Sequence, residues 1–179
     1  MPTWRPHRAV IFVAMLVLTL AVDQSTKVWA RTLPVSSPGC GVAELAAHRC
    51  GGVPQPVIAG YWDWELAVND GAAFSSFRGS RIVLTALAMV ALVSLGIMAA
   101  RTKPEQRMKQ FALAAIAGGA LGNLIDRVRD GGVTDFVRWH IEDHRWPVFN
   151  VADVALVIGV AVLLLDGVLA RRRTAALAT

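Results

Sequence analysis

The sequence predicts an all-α membrane protein with four transmembrane helices. Of its 179 residues, 55% are hydrophobic, and the mean hydropathy is +0.49, which is more apolar than an ordinary soluble domain of this size. A helix needs roughly 20 residues to cross about 30 Å of hydrocarbon. Four apolar runs approach or reach that length, within one membrane domain covering residues 1–179. The predicted spans are 9–30, 82–100, 108–126 and 148–170.

The four spans differ in how clearly they are marked. The second and fourth are uninterrupted apolar runs that end in arginine, at Arg101 and at Arg171–Arg173. The third is short and contains Gly118, Gly119 and Gly122, so its polar end is expected at the membrane interface. In the first, the strictly apolar part stops at Val22 and "DQSTKVWA" follows.

The first span has an alternative interpretation as a cleavable signal peptide, because Arg5 and Arg8 precede a short apolar core. Asp23 and Lys27 favour a permanent helix. They are four residues apart with the acid first, so on a continuing helix they share one face in the stabilising order.

Basic residues predict the orientation. The N-terminus, the link 101–109 and the C-terminus are rich in Arg or Lys, so the positive-inside rule places both termini in the cytoplasm. The links 31–80 and 128–147 then lie outside, although Arg129, Arg138 and Arg145 in the second would by themselves favour the inside. The net charge of +5 is explained by this anchoring, and no nucleic-acid motif is present.

This topology brings polar residues from separate segments to the outer membrane boundary. Ionisable groups at membrane depth are costly and usually functional; the alternative is that they pair and hold helices together. An ion pair between Asp23 and Lys27 explains these two residues as well as a functional role does. Asp126 can also form an ion pair, but with a partner other than Arg127, because adjacent residues of a helix do not face each other. Arg129 and Asp130 are interpreted as solvated loop charges. The residues at this level are Asp23, Lys27, Asn69, Asn123, Asp126, Arg127, Asn150 and Asp153.

Asp135 and Asp153 are the strongest candidates for chemistry. Asp135 follows a turn allowed by Gly131 and Gly132, and Asp153 lies in the first turn of the last helix, where the macrodipole also stabilises a carboxylate. No Ser–His or Cys–His pair lies at the same depth. Two adjacent carboxyls that share a proton can hydrolyse a bond with water, one as base and one as acid.

Other uses of the polar cluster remain open at this point. A catalytic zinc site is disfavoured because no histidines have the usual ligand spacing. A transporter usually places such charges near the midplane of repeated halves, and a non-catalytic assembly protein would use them only to join helices. Cys40 and Cys50 suit a disulfide if the first outer link is extracellular, with metal binding or free thiols as alternatives.

Five blocks of the sequence resemble the lipoprotein signal peptidases, also called signal peptidase II. They occur in the family's order and extend over nearly the whole chain. The blocks are "DQSTK" (Asp23–Lys27), "NDGAAF" (Asn69–Phe74), "GGALGNLIDR" (Gly118–Arg127), "VTDF" (Val133–Phe136) and "FNVAD" (Phe149–Asp153).

The resemblance implies a bacterial inner-membrane aspartyl endopeptidase with a small periplasmic β cradle and a mobile interfacial helix. It implies cleavage of diacylglyceryl-modified prolipoproteins just before the lipidated cysteine, near the outer leaflet, by the catalytic pair Asp135 and Asp153. Asn69, Asn123, Arg127 and Asn150 match residues that bind substrate or order the site. The matching supporting residues are Asp23, Lys27, Gly122 and Asp126.

Partners follow from the same resemblance. They are prolipoproteins, membrane lipids and peptide inhibitors of the globomycin type, with no metal, no other cofactor and no nucleic acid, and the chain is expected to be a monomer. The sequence departs from the family in the first outer link. The segment "LPVSSPGCGVAELAAHRCGGVPQPV" is longer than usual, and its cysteines are not a family feature.

Overall fold

The computed structural model describes residues 6–71, 81–103 and 105–176, with side chains described from residue 10 to residue 170 in those ranges. The predicted contributions of Arg5, of Ala72–Phe74 and of the Arg171–Arg173 side chains therefore lie outside the description. The elements in chain order are α1 (Pro6–Ala30), α2 (Val42–Ala46), β1 (Gln55–Ile58), β2 (Trp62–Asn69), α3 (Arg81–Arg101), α4 (Arg107–Asp130), β3 (Val133–Ile141), β4 (His144–Arg145) and α5 (Val151–Ala176).

Four helices in the described parts of the chain are long and apolar enough to cross a membrane. They are Val10–Ala30, Arg81–Arg101, Arg107–Asp130 and Val151–Ala170. Large apolar side chains such as Ile82, Val90, Val157 and Leu164 are exposed on their outer faces. In a bilayer these faces meet lipid tails, which are as apolar as the side chains themselves.

Helix α4 is the centre of the bundle because glycines let its neighbours approach closely. A Cβ at Gly118 would lie 2.7 Å from the Thr19 Cβ of α1, and one at Gly119 would lie 2.6 Å from the Ala152 oxygen of α5. Small residues at helix contacts are the usual device for close packing in membranes. The short third span is thus explained as the buried helix to which the others attach.

Two helix boundaries next to the sheet differ from the sequence prediction by three residues or more. Helix α5 begins at Val151 rather than 148, because Phe149 is still extended and forms a bridge with Val137. Helix α4 continues to Asp130, where Gly131 takes a left-handed conformation with φ 83° and ends it. The interpretation of Arg129 and Asp130 as solvated loop charges is therefore wrong: both lie in the last helical turn and pair with each other at 2.9 Å.

The strands form one antiparallel sheet in the order β1-β2-β3-β4, which confirms the small sheet that the resemblance implies. Strand β2 belongs to the link 31–80 and β3 to the link 128–147, and Ala67 pairs with Asp135 while Asn69 pairs with Val133. Two links that share hydrogen-bonded strands lie on the same side of a membrane. The sheet therefore supports the parity argument for the arginine-containing link 128–147.

Helix α2 and a disulfide between Cys40 and Cys50 cover one face of β2. The two Cα atoms are 6.1 Å apart, and Leu45 packs with Leu66 and Val68 of β2 in one buried cluster. This closed loop, residues 40–50, is called the clasp below. Of the alternatives for these two cysteines, the structure contains the disulfide.

Candidate active site

A buried lysine joins helices α1 and α4. Lys27 is fully buried, and its Nζ lies 3.0 Å from Asp23 Oδ2 and 3.2 Å from Asp126 Oδ2. It also donates to Asn123 Oδ1 at 2.8 Å. A buried charge needs such compensation, since an unpaired one would be strongly destabilising. The predicted ion pair of Asp23 with Lys27 is present, and the partner of Asp126 is Lys27.

Asp23 also holds the start of α5. Its Oδ1 accepts a hydrogen bond from the Ala152 backbone N–H at 3.0 Å, one of the N–H groups that a helix start leaves without an internal partner. Gly122 makes room for this carboxylate, because a Cβ there would overlap Asp23 Oδ2. The supporting residues named by the resemblance thus fix α1, α4 and α5 relative to one another.

Asn150 connects the two candidate catalytic carboxyls. Its Nδ2 donates to Asp135 Oδ1 at 2.6 Å, and its backbone N–H donates to Asp153 Oδ2 at 3.2 Å. Its own Oδ1 accepts from the Asp153 N–H at 3.0 Å, so Asn150 and Asp153 form a reciprocal cap of α5. Asn123 Nδ2 donates to the other oxygen of Asp153 at 2.9 Å.

Asp135 and Asp153 line one cavity of about 320 Å³. Asn69, Asn123 and Arg127 line the same cavity on its polar side. The remaining wall is apolar and is formed by Val133, Trp146, Pro147, Val148, Phe149, Leu156 and Val157. The cavity therefore has two carboxyl groups beside an apolar surface, which suits a substrate with apolar side chains and a polar bond to be cleaved.

The environment of Asp135 raises the pKa of its carboxyl well above the ordinary value. Burial is the main cause, and the charge of Asp153 acts in the same direction. Hydrogen bonds from Asn150 and Asn69 and the charge of Lys27 oppose the shift without cancelling it. Burial and the Asp153 charge thus both favour the neutral form of Asp135 by raising its pKa, and a second carboxyl faces the same cavity. Acid–base hydrolysis by a carboxyl pair requires such an arrangement.

Arg127 reaches the end of β2. Its Nη2 donates to the Gly71 oxygen at 3.0 Å, and the Gly71 N–H donates to Asn69 Oδ1 at 3.0 Å. Arg127 therefore orders the corner that follows β2 while its side chain lines the cavity.

Gln24, Arg31 and Thr134 also belong to this region and were not predicted from the sequence. Gln24 donates to Asp126 Oδ1 at 3.3 Å, and Arg31 donates to Asp130 Oδ2 at 2.7 Å and to Thr134 Oγ1 at 2.9 Å. The spacing of Asp23, Lys27 and Arg31, each four residues after the last, contained the signal for Arg31, because it continues one helix face.

Comparison with known proteins identifies the family to which this chain belongs. The sequence profile of the family described as Signal peptidase (SPase) II matches residues 15–169. The chain belongs to the signal peptidase II family. A lipoprotein signal peptidase of Xanthomonas euvesicatoria pv. vesicatoria (strain 85-10) is 37% identical over 166 residues, 88% of each chain. One from Geobacter metallireducens is 37% identical over 167 residues, covering 91% of this chain and 93% of its own.

Solved structures agree with the sequence comparison. One described as a bacterial membrane enzyme superposes with a TM-score of 0.71 at 26% identity, covering 88% of this chain and 87% of its own. A second with the same description gives a TM-score of 0.70 at 27% identity, covering 87% and 90%. The resemblance drawn from the five blocks is therefore confirmed.

Membership in the signal peptidase II family makes this chain a protease of lipoprotein processing. Its four candidate spans fit a multi-pass protein of the bacterial inner membrane. The transporter and the non-catalytic assembly protein are set aside, because the family is one of peptidases. The aspartic type agrees with the family.

Proposed function

We propose that this protein cleaves the signal peptide from diacylglyceryl-modified prolipoproteins immediately before the lipidated cysteine, with Asp135 and Asp153 as the catalytic pair. The observation that carries the proposal is the Asn150 bridge. One asparagine donates to both carboxyls, and both carboxyls line the same cavity. A pair held this way suits the activation of one water between them.

The proposed reaction is direct hydrolysis. One carboxylate takes a proton from water while the water oxygen attacks the scissile carbonyl. The other carboxyl donates a proton to the leaving nitrogen as the C–N bond breaks. The products are a carboxylate on the signal peptide and a free amine on the lipidated cysteine. Both proton transfers are assigned to carboxyls, so the proposed reaction uses no metal or other cofactor.

Asp135 is proposed to carry the shared proton in the resting enzyme, because burial and the Asp153 charge raise its pKa. The two groups interact, so the pair is expected to titrate together rather than as separate sites. Asn123, Asn150 and Lys27 form a connected set behind the pair. Since Asn150 is fully buried, its role is proposed to be ordering the carboxyls, while Asn69, Asn123 and Arg127 face the substrate.

Membrane anchoring supplies the positioning. With both termini in the cytoplasm, the sheet and the cavity lie at the outer boundary of the bilayer. The lipid tails of the substrate then remain in the outer leaflet, its signal helix lies against the enzyme's spans, and the scissile bond is held at the depth of the cavity. Fixing reactants in this way converts a bimolecular encounter into an oriented one. We also propose, from the family resemblance, that the protein has an interfacial helix on the periplasmic side and is a monomer.

The substrate assignment is tested with purified enzyme and a diacylglyceryl-modified precursor, matched with the same precursor lacking the lipid. A gel shift and the mass of the product report cleavage and its position. We expect cleavage of the lipidated precursor only, a product that begins with the modified cysteine, and inhibition by globomycin. Equal cleavage of the unlipidated precursor, or a cut elsewhere, would contradict the proposal.

A further inference from the structure

We infer that Arg31 is a positioning residue for catalysis, which acts on Asp135 through Thr134. The inference rests on the proposed catalytic role of Asp135 and adds a residue that lies outside the five family blocks. Arg31 directly follows helix α1, with its N–H donating to the Lys27 oxygen at 3.1 Å. Its side chain reaches the end of α4 and the start of β3 together.

The guanidinium contacts three groups on those two elements. Its Nη2 lies 2.7 Å from Asp130 Oδ2 and 3.6 Å from Asp126 Oδ1. The same Nη2 donates to Thr134 Oγ1 at 2.9 Å, and Nε donates to that oxygen at 3.3 Å. The planar fork of an arginine suits several acceptors at fixed directions, whereas a lysine offers a single point charge.

The N–H, the carbonyl and the hydroxyl of Thr134 each form a hydrogen bond. Thr134 is fully buried, and its hydroxyl accepts from Arg31. Its N–H donates to Asp126 Oδ2 at 3.0 Å, and its carbonyl accepts from Asn150 Nδ2 at 3.3 Å. Arg31 therefore fixes the hydroxyl of Thr134. The backbone N–H and carbonyl of Thr134 already bind Asp126 and Asn150.

Strand geometry transmits this contact to Asp135. Successive side chains of a strand point to opposite faces, so Thr134 faces α1 and α4 while Asp135 faces the cavity. Fixing the Thr134 hydroxyl therefore limits rotation of β3 and the direction of the Asp135 carboxyl. A displacement of a catalytic group by about 1 Å can cost as much as 100-fold in rate.

Arg129 provides a matched control. It lies 3.4 Å from Asp126 Oδ1 and 2.9 Å from Asp130 Oδ2, so it pairs with the same two carboxylates. Its hydrogen bonds in the described structure go to those carboxylates, and Thr134 is not among its partners. Comparing the two arginines separates loss of an ion pair from loss of the contact with β3.

The test measures kcat and KM for Arg31→Ala, Thr134→Val, Thr134→Ser and Arg129→Ala, each with its thermal midpoint. We expect Arg31→Ala and Thr134→Val to lower kcat about 10-fold, by analogy with misplaced catalytic groups, with little change in KM. Thr134→Ser, which keeps the hydroxyl, should retain most of the rate, and Arg129→Ala should stay within about twofold of the wild type. The double variant Arg31→Ala/Thr134→Val should be no slower than Arg31→Ala, because both single changes remove the same Arg31–Thr134 contact.

A pH–rate profile separates positioning from general destabilisation. If Asp135 loses its fixed direction and is reached by water, its raised pKa should fall and the alkaline limb of the profile of Arg31→Ala should move to lower pH. An unchanged kcat in Arg31→Ala, or an equal loss in Arg129→Ala, would overturn the inference and leave the proposed function intact. Wild-type turnover by Asp135→Asn would instead overturn the proposed function itself.

Discussion

At the scale of single residues, the site depends on one carboxyl kept in an environment that disfavours its charge. Asp135 is almost fully buried, and Asp153 faces the same cavity. A buried carboxyl of this kind is retained at a cost to folding, because the unfolded chain ionises more easily than the folded one. Natural proteins tolerate such costs at functional positions.

The cost gives a prediction for Asp135→Asn. Below the ordinary carboxyl pKa, Asp135 is neutral in both folded and unfolded chains, and the two proteins should melt at similar temperatures. As the pH rises through the raised pKa of Asp135, the wild type loses stability and the variant does not, so the variant should melt higher at pH 7 than the wild type. Each unit of pKa shift corresponds to about 1.4 kcal/mol.

Thermal unfolding in detergent between acidic and neutral pH measures this difference. Asp143→Asn is the control, because Asp143 is exposed in the turn between β3 and β4 and its substitution should leave no pH-dependent gap. A variant that melts lower than the wild type at pH 7 would mean that the Asp135 carboxylate stabilises the fold, contrary to this account.

Single residues also show what the sequence could and could not reveal. The four-residue spacing of Asp23 and Lys27 predicted their ion pair, and it formed. The partner of Asp126 was not predictable, since Lys27 reaches it from another helix. Thr134 was not predicted as a candidate residue, because its three contacts are made by residues at the ends of three helices, Arg31, Asp126 and Asn150.

At the scale of elements, the site is built where helix ends meet a sheet. Helix α1 contributes Asp23 and Lys27, α4 contributes Asn123 and Asp126, and the start of α5 carries Asp153. Apolar runs predicted these helices because lipid exposure demands continuous hydrophobicity. The start of α5 was less predictable, since Phe149 is as apolar as the helix yet its backbone pairs with β3.

The clasp supports this assembly from the far side of the sheet. Leu66 and Val68 of β2 pack under it, and His48 lies 3.6 Å from Asp70, next to the Asn69 that lines the cavity. Through β2, the clasp therefore stabilises the strand that pairs with the Asp135 segment.

Replacing both cysteines, in Cys40→Ser/Cys50→Ser, should lower the thermal midpoint. Closing a loop of this size is worth about 2–3 kcal/mol in the chain-entropy view. A reductant should lower the midpoint of the wild type to that of the variant and leave the variant unchanged. Equal midpoints for the oxidised wild type and the variant would show that the disulfide of the clasp does not stabilise the protein.

At the scale of the whole molecule, four candidate spans and one sheet bring distant segments of the chain together. The pairing of β2 with β3 joins the links 31–80 and 128–147, and Lys27, Asn123 and Asn150 connect the helices next to them. The sequence predicted this convergence from span parity and charge, without the register of the strands. β2 and β3 lie far apart in the chain, so no hairpin turn between them marks their register in the sequence.

The most direct test of the central claim is turnover of a diacylglyceryl-modified precursor by Asp135→Asn and by Asp153→Asn, beside Asp143→Asn. If two carboxyls share one water, each of the first two variants should fold, insert and lose cleavage by at least about 1,000-fold, while Asp143→Asn keeps the wild-type rate. Near-normal turnover by either Asp135→Asn or Asp153→Asn would contradict the account.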